Sequence, residues 1–315
     1  MVIRFYDFQF NLIHIEPEFI GSSWTVYFNK EGNFEARFPC NSEVLSVVSE
    51  NKYLVAKQGE FAAIITGYNA EDEFTVYGRT CNWLLKKRVT LPTENSSVYS
   101  GSLACTLASR AFSDVSNFAT ENKSNGKTIS FSSERLETTY DAVVRCLKEG
   151  AIGHELRFDT DKKRWVFATL PSVATDLMIS ESLKNASDTA IVGDILDLAD
   201  CGYYKKITKD ESGNTSEEYS LLKNGNKSGI YRWETVISEN NETEAQAMLN
   251  TKKENSTIRL STHGVFYGSD YSLGDIVRVQ IVKGAFKKTV KKRICGVEVK
   301  HKSSARYEQP IFEEV

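Results

Sequence analysis

A chain of 315 residues with 41% hydrophobic and 26% charged side chains has the composition of an ordinary globular protein. Its 42 acidic and 39 basic residues leave a formal net charge of −3, so no global charge draws it to nucleic acid or to an anionic membrane. At roughly 100 to 200 residues per domain, the length is sufficient for two or three hydrophobic cores.

The N-terminal segment does not have the pattern of a targeting signal. It begins MVIRFYDFQF, in which Arg4 and Asp7 interrupt the apolar residues, whereas a secretory signal needs a continuous apolar stretch. No apolar run approaches the roughly 20 residues that a membrane-spanning helix requires. We therefore expect no membrane segment and a protein made and folded in a cytoplasm.

The sequence of residues 1–97 predicts strands almost throughout. Their short segments are rich in Val, Ile, Tyr, Phe and Thr and are separated by polar or glycine-containing turns, which is typical of a barrel or sandwich. The turn NKEGN is suited to a hairpin in which Gly32 would supply a positive φ. The predicted strands are VIRFYDFQFNLIHI, SSWTVYFN, FEARFP, KYLVAKQ, EFAAIITGY, EFTVYGRT and WLLKKRVTL.

Residues 98–180 combine helices with strands. A first helix is predicted where apolar residues recur at close to helical spacing, at Leu103, Leu107 and Phe112. A second helix should begin at a cap of Ser132 or Ser133 and end at Gly150. Its apolar stripe would consist of Leu136, Tyr140, Val143, Val144 and Leu147. A strand, a polar turn and a second strand are then predicted in HELRFDTDKKRWVFATL.

Strands return after residue 180. A hairpin with a long polar tip is predicted in GYYKKITKDESGNTSEEYSLLKN, and a further strand in GIYRWETVIS. A short helix is predicted in NETEAQAMLNTKKENS, where Ala and Leu fall on one side and charges on the other. Gly274 and Asp275 should form the turn that starts a strand in YSLGDIVRVQ. The last two predicted strands are FKKTVKKRICGVEVKHK and ARYEQPIFEEV.

These elements predict an α+β fold that is mainly β. Two β-barrel-like domains, residues 1–97 and residues 181–315, would flank a small α/β insert at residues 98–180. The second β domain would contain one short helix. No repeat with the period of a solenoid is present.

The six cysteines form neither a disulfide framework nor a zinc pattern. They are widely spaced and none lies in a CxxC pair. We expect buried free thiols at Cys40, Cys81, Cys105, Cys146, Cys201 and Cys295.

No catalytic, cofactor-binding or metal-ligating residue is predicted. The four histidines, His14, His154, His263 and His301, are dispersed, and none has a second histidine at i+3 or i+4. The segment HELRF begins like a zinc-protease helix but has Phe158 where the second ligand is required. It also lies where a strand is predicted.

The motifs of nucleophilic and nucleotide-dependent enzymes are also missing from the sequence. It has no GxSxG elbow, no Walker loop and no GxGxxG after a strand. A glycoside hydrolase needs only two carboxylates, but Asp159 with Asp161 and Glu217 with Glu218 lie in polar stretches typical of solvated turns. We expect no enzymatic activity and no cofactor.

One segment near the C terminus is strongly basic. Residues 283–306 contain Glu298 as their single acid. Such a cluster could meet a phosphate backbone or an acidic protein face, or protect an edge strand from unwanted pairing. Because no aromatic residues for base stacking are interleaved with it, sequence-specific nucleic-acid binding is not expected. Besides Lys283 at its start, its basic residues are Lys287, Lys288, Lys291, Lys292, Arg293, Lys300, Lys302 and Arg306.

The order of these features resembles the baseplate-hub, or tail-associated, proteins of long-tailed bacteriophages and phage-tail-like particles. Near the start, DFQFN matches a D-x-x-F-N turn and GNFE matches the G-x-F-E that leads a strand. In the middle, the helix and hairpin of LETTYDAVVRCLKEGAIGHELRFDTDKKRWVF are similar to those of the family. Near the end, YSLGDIVRVQ resembles its LGD strand. Residues 181–228 match least.

The resemblance implies a structural protein of the tail tip. In this family a homotrimer presents six similar barrel-like domains in a ring, which joins a sixfold tube to a threefold spike. The implied partners are the tail tube or distal tail protein, the tape-measure protein and a spike or receptor-binding protein. The implied location is the tip of a virion or tail-like particle. Since the chain stops at Val315 after a closing hairpin, we expect the hub alone, with any lysin on another chain.

Two other functions stay open. A carbohydrate-binding host-adhesion module could use the four tryptophans as stacking platforms, although aromatic residues in alternating strands more often belong to a core. For a cell-wall hydrolase the sequence offers nothing beyond its stock of carboxylates. The tryptophans are Trp24, Trp83, Trp165 and Trp233.

Overall fold

The computed structural model describes residues 2–91, 93–133, 136–209, 215–239, 241–302 and 305–315. Strands predominate in it, which confirms the mainly-β α+β class. The strands are β1 (Ile3–Asp7), β2 (Leu12–Glu16), β3 (Gly21–Tyr27), β4 (Asn33–Phe38), β5 (Leu54–Gln58), β6 (Phe61–Ala70), β7 (Phe74–Thr80), β8 (Val89–Thr90), β9 (Thr93–Tyr99), β10 (Phe118–Asn122), β11 (Thr128–Ser133), β12 (Glu137–Thr138), β13 (Gly153–Asp159), β14 (Arg164–Leu170), β15 (Val173–Ser180), β16 (Ala186–Asp194), β17 (Cys201–Lys209), β18 (Thr215–Lys223), β19 (Glu234–Ile237), β20 (Asn255–Thr262), β21 (Asp275–Lys283), β22 (Phe286–Lys302) and β23 (Ala305–Glu313). The α-helices are α1 (Val44–Glu50), α2 (Ser100–Ala111), α3 (Thr139–Gly150) and α4 (Glu242–Thr251), and short 3-10 helices span Cys81–Lys87, Glu181–Leu183 and Gly229–Tyr231.

The chain forms two compact units. The large unit comprises Met1–Ala190 and Arg259–Val315, and the small unit comprises Ile191–Ile258. These bounds differ from the three predicted domains, residues 1–97, 98–180 and 181–315. The division into three domains stays a prediction. The difference arises because the C-terminal strands pair with the N-terminal ones.

One extended sheet organises the large unit. Its strand order is β16-β20-β23-β22-β3-β4-β7-β6-β5-β1-β2, and β21 pairs with β22 and β15. The described strands do not close a barrel, so the regions predicted to be barrel-like contribute to an open sheet instead. Along β4, Phe34, Ala36 and Phe38 are buried while the residues between them are exposed. This alternation is typical of a sheet with one covered face.

A hydrophobic core surrounds α2 and α3. Leu103, Leu107 and Phe112 are buried in it, as predicted, together with residues of β13 and β14. The start of the second helix was predicted too early: its N-cap is Thr138, whose side chain accepts a hydrogen bond from Asp141 N at 3.1 Å. Leu136 therefore precedes the helix and is exposed, whereas the remaining predicted stripe residues lie in the helix.

Three local predictions in the first 97 residues were wrong. Helix α1 was missed, and the segment WLLKKRVTL forms the 3-10 helix Cys81–Lys87 followed by the two-residue β8 rather than a long strand. Gly32 does not adopt the expected positive φ. A glycine is required there for another reason, since a Cβ would overlap the carbonyl oxygen of Thr25.

The turn before β21 forms as predicted. Gly274 has φ 93°, a left-handed conformation that favours glycine, and a Cβ there would overlap Pro171 and Phe28. Along β21, Val277 and Val279 are fully buried while Arg278 is exposed. The segment is therefore a strand of the sheet with one face in the hydrophobic core.

The small unit is a three-stranded sheet covered on one face by α4. The strand order is β18-β17-β19, and Asn241 caps α4 by accepting a hydrogen bond from Thr243 N at 2.9 Å. The predicted strand GIYRWETVIS is shorter than expected, because the 3-10 helix Gly229–Tyr231 precedes β19. The predicted tip of the β17–β18 hairpin lies outside the described residues. The buried core consists of Ala199, Tyr204, Leu222, Ile237, Ala245 and Leu249.

Candidate functional surfaces

The dispersed histidines do not converge on a metal site. Among the described residues, no group of three or more His, Cys, Asp or Glu side chains is placed to hold a metal ion. The segment HELRF forms strand β13, so His154 and Phe158 do not have the helical i, i+4 relation of a zinc-protease motif. His301 Nδ1 lies 3.3 Å from Ser22 Oγ, within the sheet.

His154 is a core residue. Its side chain has no solvent exposure, and neither ring nitrogen has a hydrogen-bond partner among the described residues. The ring stacks on Phe167 at 5.9 Å and meets the edge of Tyr140 at 6.2 Å. Burial disfavours the charged form and lowers its pKa to about 4. His154 is therefore neutral at pH 7 and packs as an aromatic ring.

The candidate carboxylate pairs do not form acid/base pairs. Asp159 accepts hydrogen bonds from the backbone N–H groups of Lys162 (3.0 Å) and Asp161 (3.1 Å), which organise the β13–β14 turn and lower its pKa. Glu217 and Glu218 lie in β18, not in the predicted turn. As neighbours in a strand they point to opposite faces, and Glu217 pairs with Lys205 at 2.6 Å.

The four tryptophans do not form a common aromatic platform. Trp24 is fully buried and its Nε1 donates to Gln58 Oε1 at 2.6 Å. Trp165 is also buried, and Trp83 is half-buried beneath Lys87. Trp233, in the small unit, is 41% exposed. Two of the four candidate stacking residues are therefore core residues, as alternating strands favour.

The free thiols are mostly buried. Burial raises the pKa of Cys81 and Cys146 to about 12, which keeps these thiols protonated and unreactive at neutral pH. The prediction is wrong for Cys40, which is exposed, and Cys295 is half-buried. Cys105 and Cys201 are buried.

A surface groove of about 370 Å³ lies in the large unit. Its lining carries both signs of charge, from Lys57 and Arg157 and from Glu60, Glu155 and Asp159. Within it, Arg157 Nε is 3.2 Å from Glu155 Oε1. With two basic and three acidic side chains intermixed, the lining does not concentrate one sign of charge.

Half of the basic segment is neutralised within the fold. Buried Lys292 pairs with Glu314, and Arg293 pairs with Glu313 at 2.9 Å. Further pairs join Lys300 to Glu298 at 3.0 Å and Arg306 to Glu308 at 2.6 Å. The segment is therefore less cationic at the surface than its sequence indicates.

Three of the remaining lysines of β22 lie along a free strand edge. β21 pairs with one side of 286–293, whereas β23 pairs with the other side only from Arg293 onward. Among the described strands, none pairs with this second side at 286–292, which we call the lysine edge. Its exposed lysines are Lys287, Lys288 and Lys291, and for these the described residues provide no ion pair. Lysines at such positions discourage accidental strand pairing.

A second free edge has the opposite character. β2 is the last strand of the sheet path and pairs with β1 alone among the described strands. Leu12, Ile13 and Ile15 are 48%, 41% and 46% exposed, and β2 contains no Lys or Arg. The sequence predicted a strand here but gave no sign that it is an edge, because that depends on which strands neighbour it.

Comparison with proteins of known structure links this architecture to phage tails. No protein-family model matches the chain, and no curated protein matches it. A 43 kDa tail protein of prophage MuSo2 from Shewanella oneidensis matches 100% of this chain and 98% of its own, with a TM-score of 0.67 and 11% identity. A tail protein from Neisseria meningitidis MC58 matches 99% and 96%, with a TM-score of 0.63 and 13% identity. Prophage tail protein gp18 from Listeria monocytogenes EGD-e matches 100% and 95%, with a TM-score of 0.59 and 11% identity.

The chain has the fold of phage tail proteins. This confirms the resemblance drawn from its sequence motifs, although at 11–13% identity the likeness concerns the fold alone. The match extends over nearly the whole of each phage tail protein, so it includes both the large sheet and the small unit. Within the described part of the chain, no helix is long and apolar enough to cross a membrane.

Proposed function

We propose that this protein is a structural component of a phage tail or tail-like particle, namely the baseplate or tail-tip hub. The observation that supports this most strongly is the end-to-end match to three prophage tail proteins, over 95–98% of their own lengths. A match of this extent aligns the whole architecture rather than a widespread subdomain. Fold alone does not determine function, so the surfaces must support the proposal independently.

The surfaces described above suit assembly better than catalysis. The candidate carboxylates are paired or diverge, and buried His154 is inaccessible to substrate. In contrast, the sheet presents free edges, which are the usual sites of strand addition between chains. We propose that three copies form a ring that joins the tail tube or distal tail protein to the spike or receptor-binding protein and the tape-measure end.

The hub assignment can be tested by binding. The purified protein should co-migrate in size-exclusion chromatography with the distal tail or tube protein of the same particle, and labelled antibodies should mark one end of the isolated particles in electron micrographs. Peptidoglycan incubated with the protein should remain intact. Labelling along the whole tube, or hydrolysis that depends on particular carboxylates, would overturn the proposal.

The adhesion alternative rests on exposed Trp233 after two of its four tryptophans proved to be buried. Its test is retention of the protein on cell-wall glycan before and after Trp233→Ala. We expect no specific retention of either form. Retention that the substitution abolishes would favour adhesion.

A further inference from the structure

The two free edges of the large sheet differ in a way that indicates different roles. Along the lysine edge, three exposed lysines are interspersed with small or apolar residues, an arrangement that protects an edge from accidental pairing. Along β2 the exposed residues are Leu12, Ile13 and Ile15. An edge strand with exposed apolar side chains and unpaired backbone groups is a template for another strand. A protein that functions as a monomer would be expected to protect such an edge.

The two edges are also complementary in charge. At the β2 edge, the strand itself carries no Lys or Arg and Glu18 just beyond it is exposed, while Glu16 is buried and Arg4 lies opposite Ile15 on β1. At the lysine edge, Lys287, Lys288 and Lys291 are exposed, whereas the nearby basic residues are neutralised within the fold, Lys283 by Glu181, Lys292 by Glu314 and Arg293 by Glu313. The three exposed lysines therefore repel a copy of their own edge, whereas at the β2 edge they would meet exposed Glu18 and no lysine or arginine on the strand. This combination selects pairing between unlike edges over pairing between like edges.

Apolar residues on the lysine edge match those on β2. Phe286 is 46% exposed, and Val290 is half-buried on the same strand. Gly284 has φ 59° and, with Ala285, forms the two-residue turn between Lys283 and Phe286. This tight turn fixes the hairpin that carries the edge. Each edge thus offers backbone hydrogen-bonding groups and apolar side chains, with opposite charges.

We propose that β2 of one copy adds as a strand to the lysine edge, residues 286–292, of a second copy. A contact between two different edges of the same chain is heterologous, and it closes a ring of three copies when neighbouring copies are related by a threefold rotation, whereas any rotation that does not close generates an open filament. The lysines would then both prevent pairing of like edges and attract the partner edge. This inference rests on the proposed ring, and it specifies the surfaces that build it.

The test uses two variants with a matched control. Ile13→Lys/Ile15→Lys removes the apolar residues and adds positive charge to β2, and Lys287→Glu/Lys288→Glu reverses the charge of the lysine edge. Each should raise the protein concentration needed for half-assembly by tenfold or more in light scattering. Tyr307→Lys, at an exposed position on β23, which has strand neighbours on both sides, should leave it unchanged. Circular dichroism would establish that each variant is folded.

Cross-linking tests directly whether β2 of one copy lies beside the lysine edge of another. This test does not depend on whether the edge variants above fold. Two chains with different tags, each with Cys40→Ser, would be co-expressed, one with Ile13→Cys and the other with Lys288→Cys. A short bis-maleimide should join the two tags, and should not join Ile13→Cys chains to each other. Cross-linking between two Ile13→Cys chains would overturn the proposal. A trimer that persists in both edge variants would overturn it while leaving the hub function intact, whereas a wild-type protein that stays monomeric both alone and with its tail partner would contradict both.

Discussion

His154 shows how a buried titratable side chain makes stability depend on pH. In the unfolded chain this histidine is protonated near the ordinary histidine pKa of 6.5, whereas the folded chain resists protonation down to about 4. Because the unfolded state binds more protons, stability is complete above pH 6.5 and is lost as the pH falls toward 4. For this residue the loss between pH 7 and pH 4.5 should be about 2 kcal/mol.

The corresponding variant is His154→Phe, which keeps an aromatic ring between Tyr140 and Phe167. Urea unfolding followed by tryptophan fluorescence at the two pH values should show a pH-dependent loss smaller by about 2 kcal/mol than in the wild type. The matched control is the same substitution at an exposed histidine, His263→Phe, and the pH-dependent loss should be smaller in His154→Phe than in this control. An unchanged difference in His154→Phe would show that other groups control the acid sensitivity.

Two glycines with positive φ separate backbone strain from steric overlap. Gly274 (φ 93°) and Gly59 (φ 60°) both adopt a left-handed conformation, but a Cβ would overlap Pro171 and Phe28 only at Gly274, since nothing lies within 4 Å of it at Gly59. Gly59→Ala should cost about 1 kcal/mol from backbone strain. Gly274→Ala should cost at least about 2 kcal/mol more, from overpacking at the turn. Equal losses in urea unfolding would contradict this account.

At the scale of elements, the start of α3 can be tested directly. Thr138 accepts a hydrogen bond from Asp141 N, so Thr138→Ala should lower the free energy of unfolding by about 1 kcal/mol. Ser132, which the sequence offered as a cap, lies six positions earlier in β11. Ser132→Ala should change stability by less than about 0.5 kcal/mol. A larger loss in Ser132→Ala than in Thr138→Ala would contradict the observed start of the helix.

Elements with a strong local signal were predictable from the sequence. α4 has a capping residue, Asn241, and a clear apolar face, and the turn before β21 has a glycine in the conformation that glycine favours. α1 was missed because it is seven residues long and its buried residues are few, Val44 and Val48. The run WLLKKRVTL has the residues of a strand, but tertiary packing favours a 3-10 helix for its first part.

The two free edges could not be predicted from the sequence, because they depend on which strands pair across large distances along the chain. Val299 lies opposite Trp24 across β22 and β3, a contact between nearly opposite ends of the chain that no local pattern encodes. That pairing places the N-terminal and C-terminal strands in one sheet and leaves β2 and the lysine edge exposed. The basic segment was visible in the sequence, but its division into paired and exposed residues was not.

At the scale of the whole molecule, the fold matches phage tail proteins over almost their full lengths. In our proposal the large unit supplies a sheet with two unlike edges, and three copies joined through them form the hub. Electrostatic attraction contributes to this contact, so assembly should weaken as salt concentration rises. Sedimentation velocity at low and high ionic strength would measure the change, and assembly that strengthens with salt would indicate a purely apolar interface.

The central claim is most directly tested by the mass of the purified protein in solution. Light scattering at several concentrations, with and without the tail-tube or distal tail protein, would compare the particle mass with the 35.5 kDa of one chain. We predict three times that mass for the protein alone, or three copies of the chain in addition to the partner's own mass in the complex with its tail partner. A particle that stays at the mass of one chain under both conditions would contradict the hub.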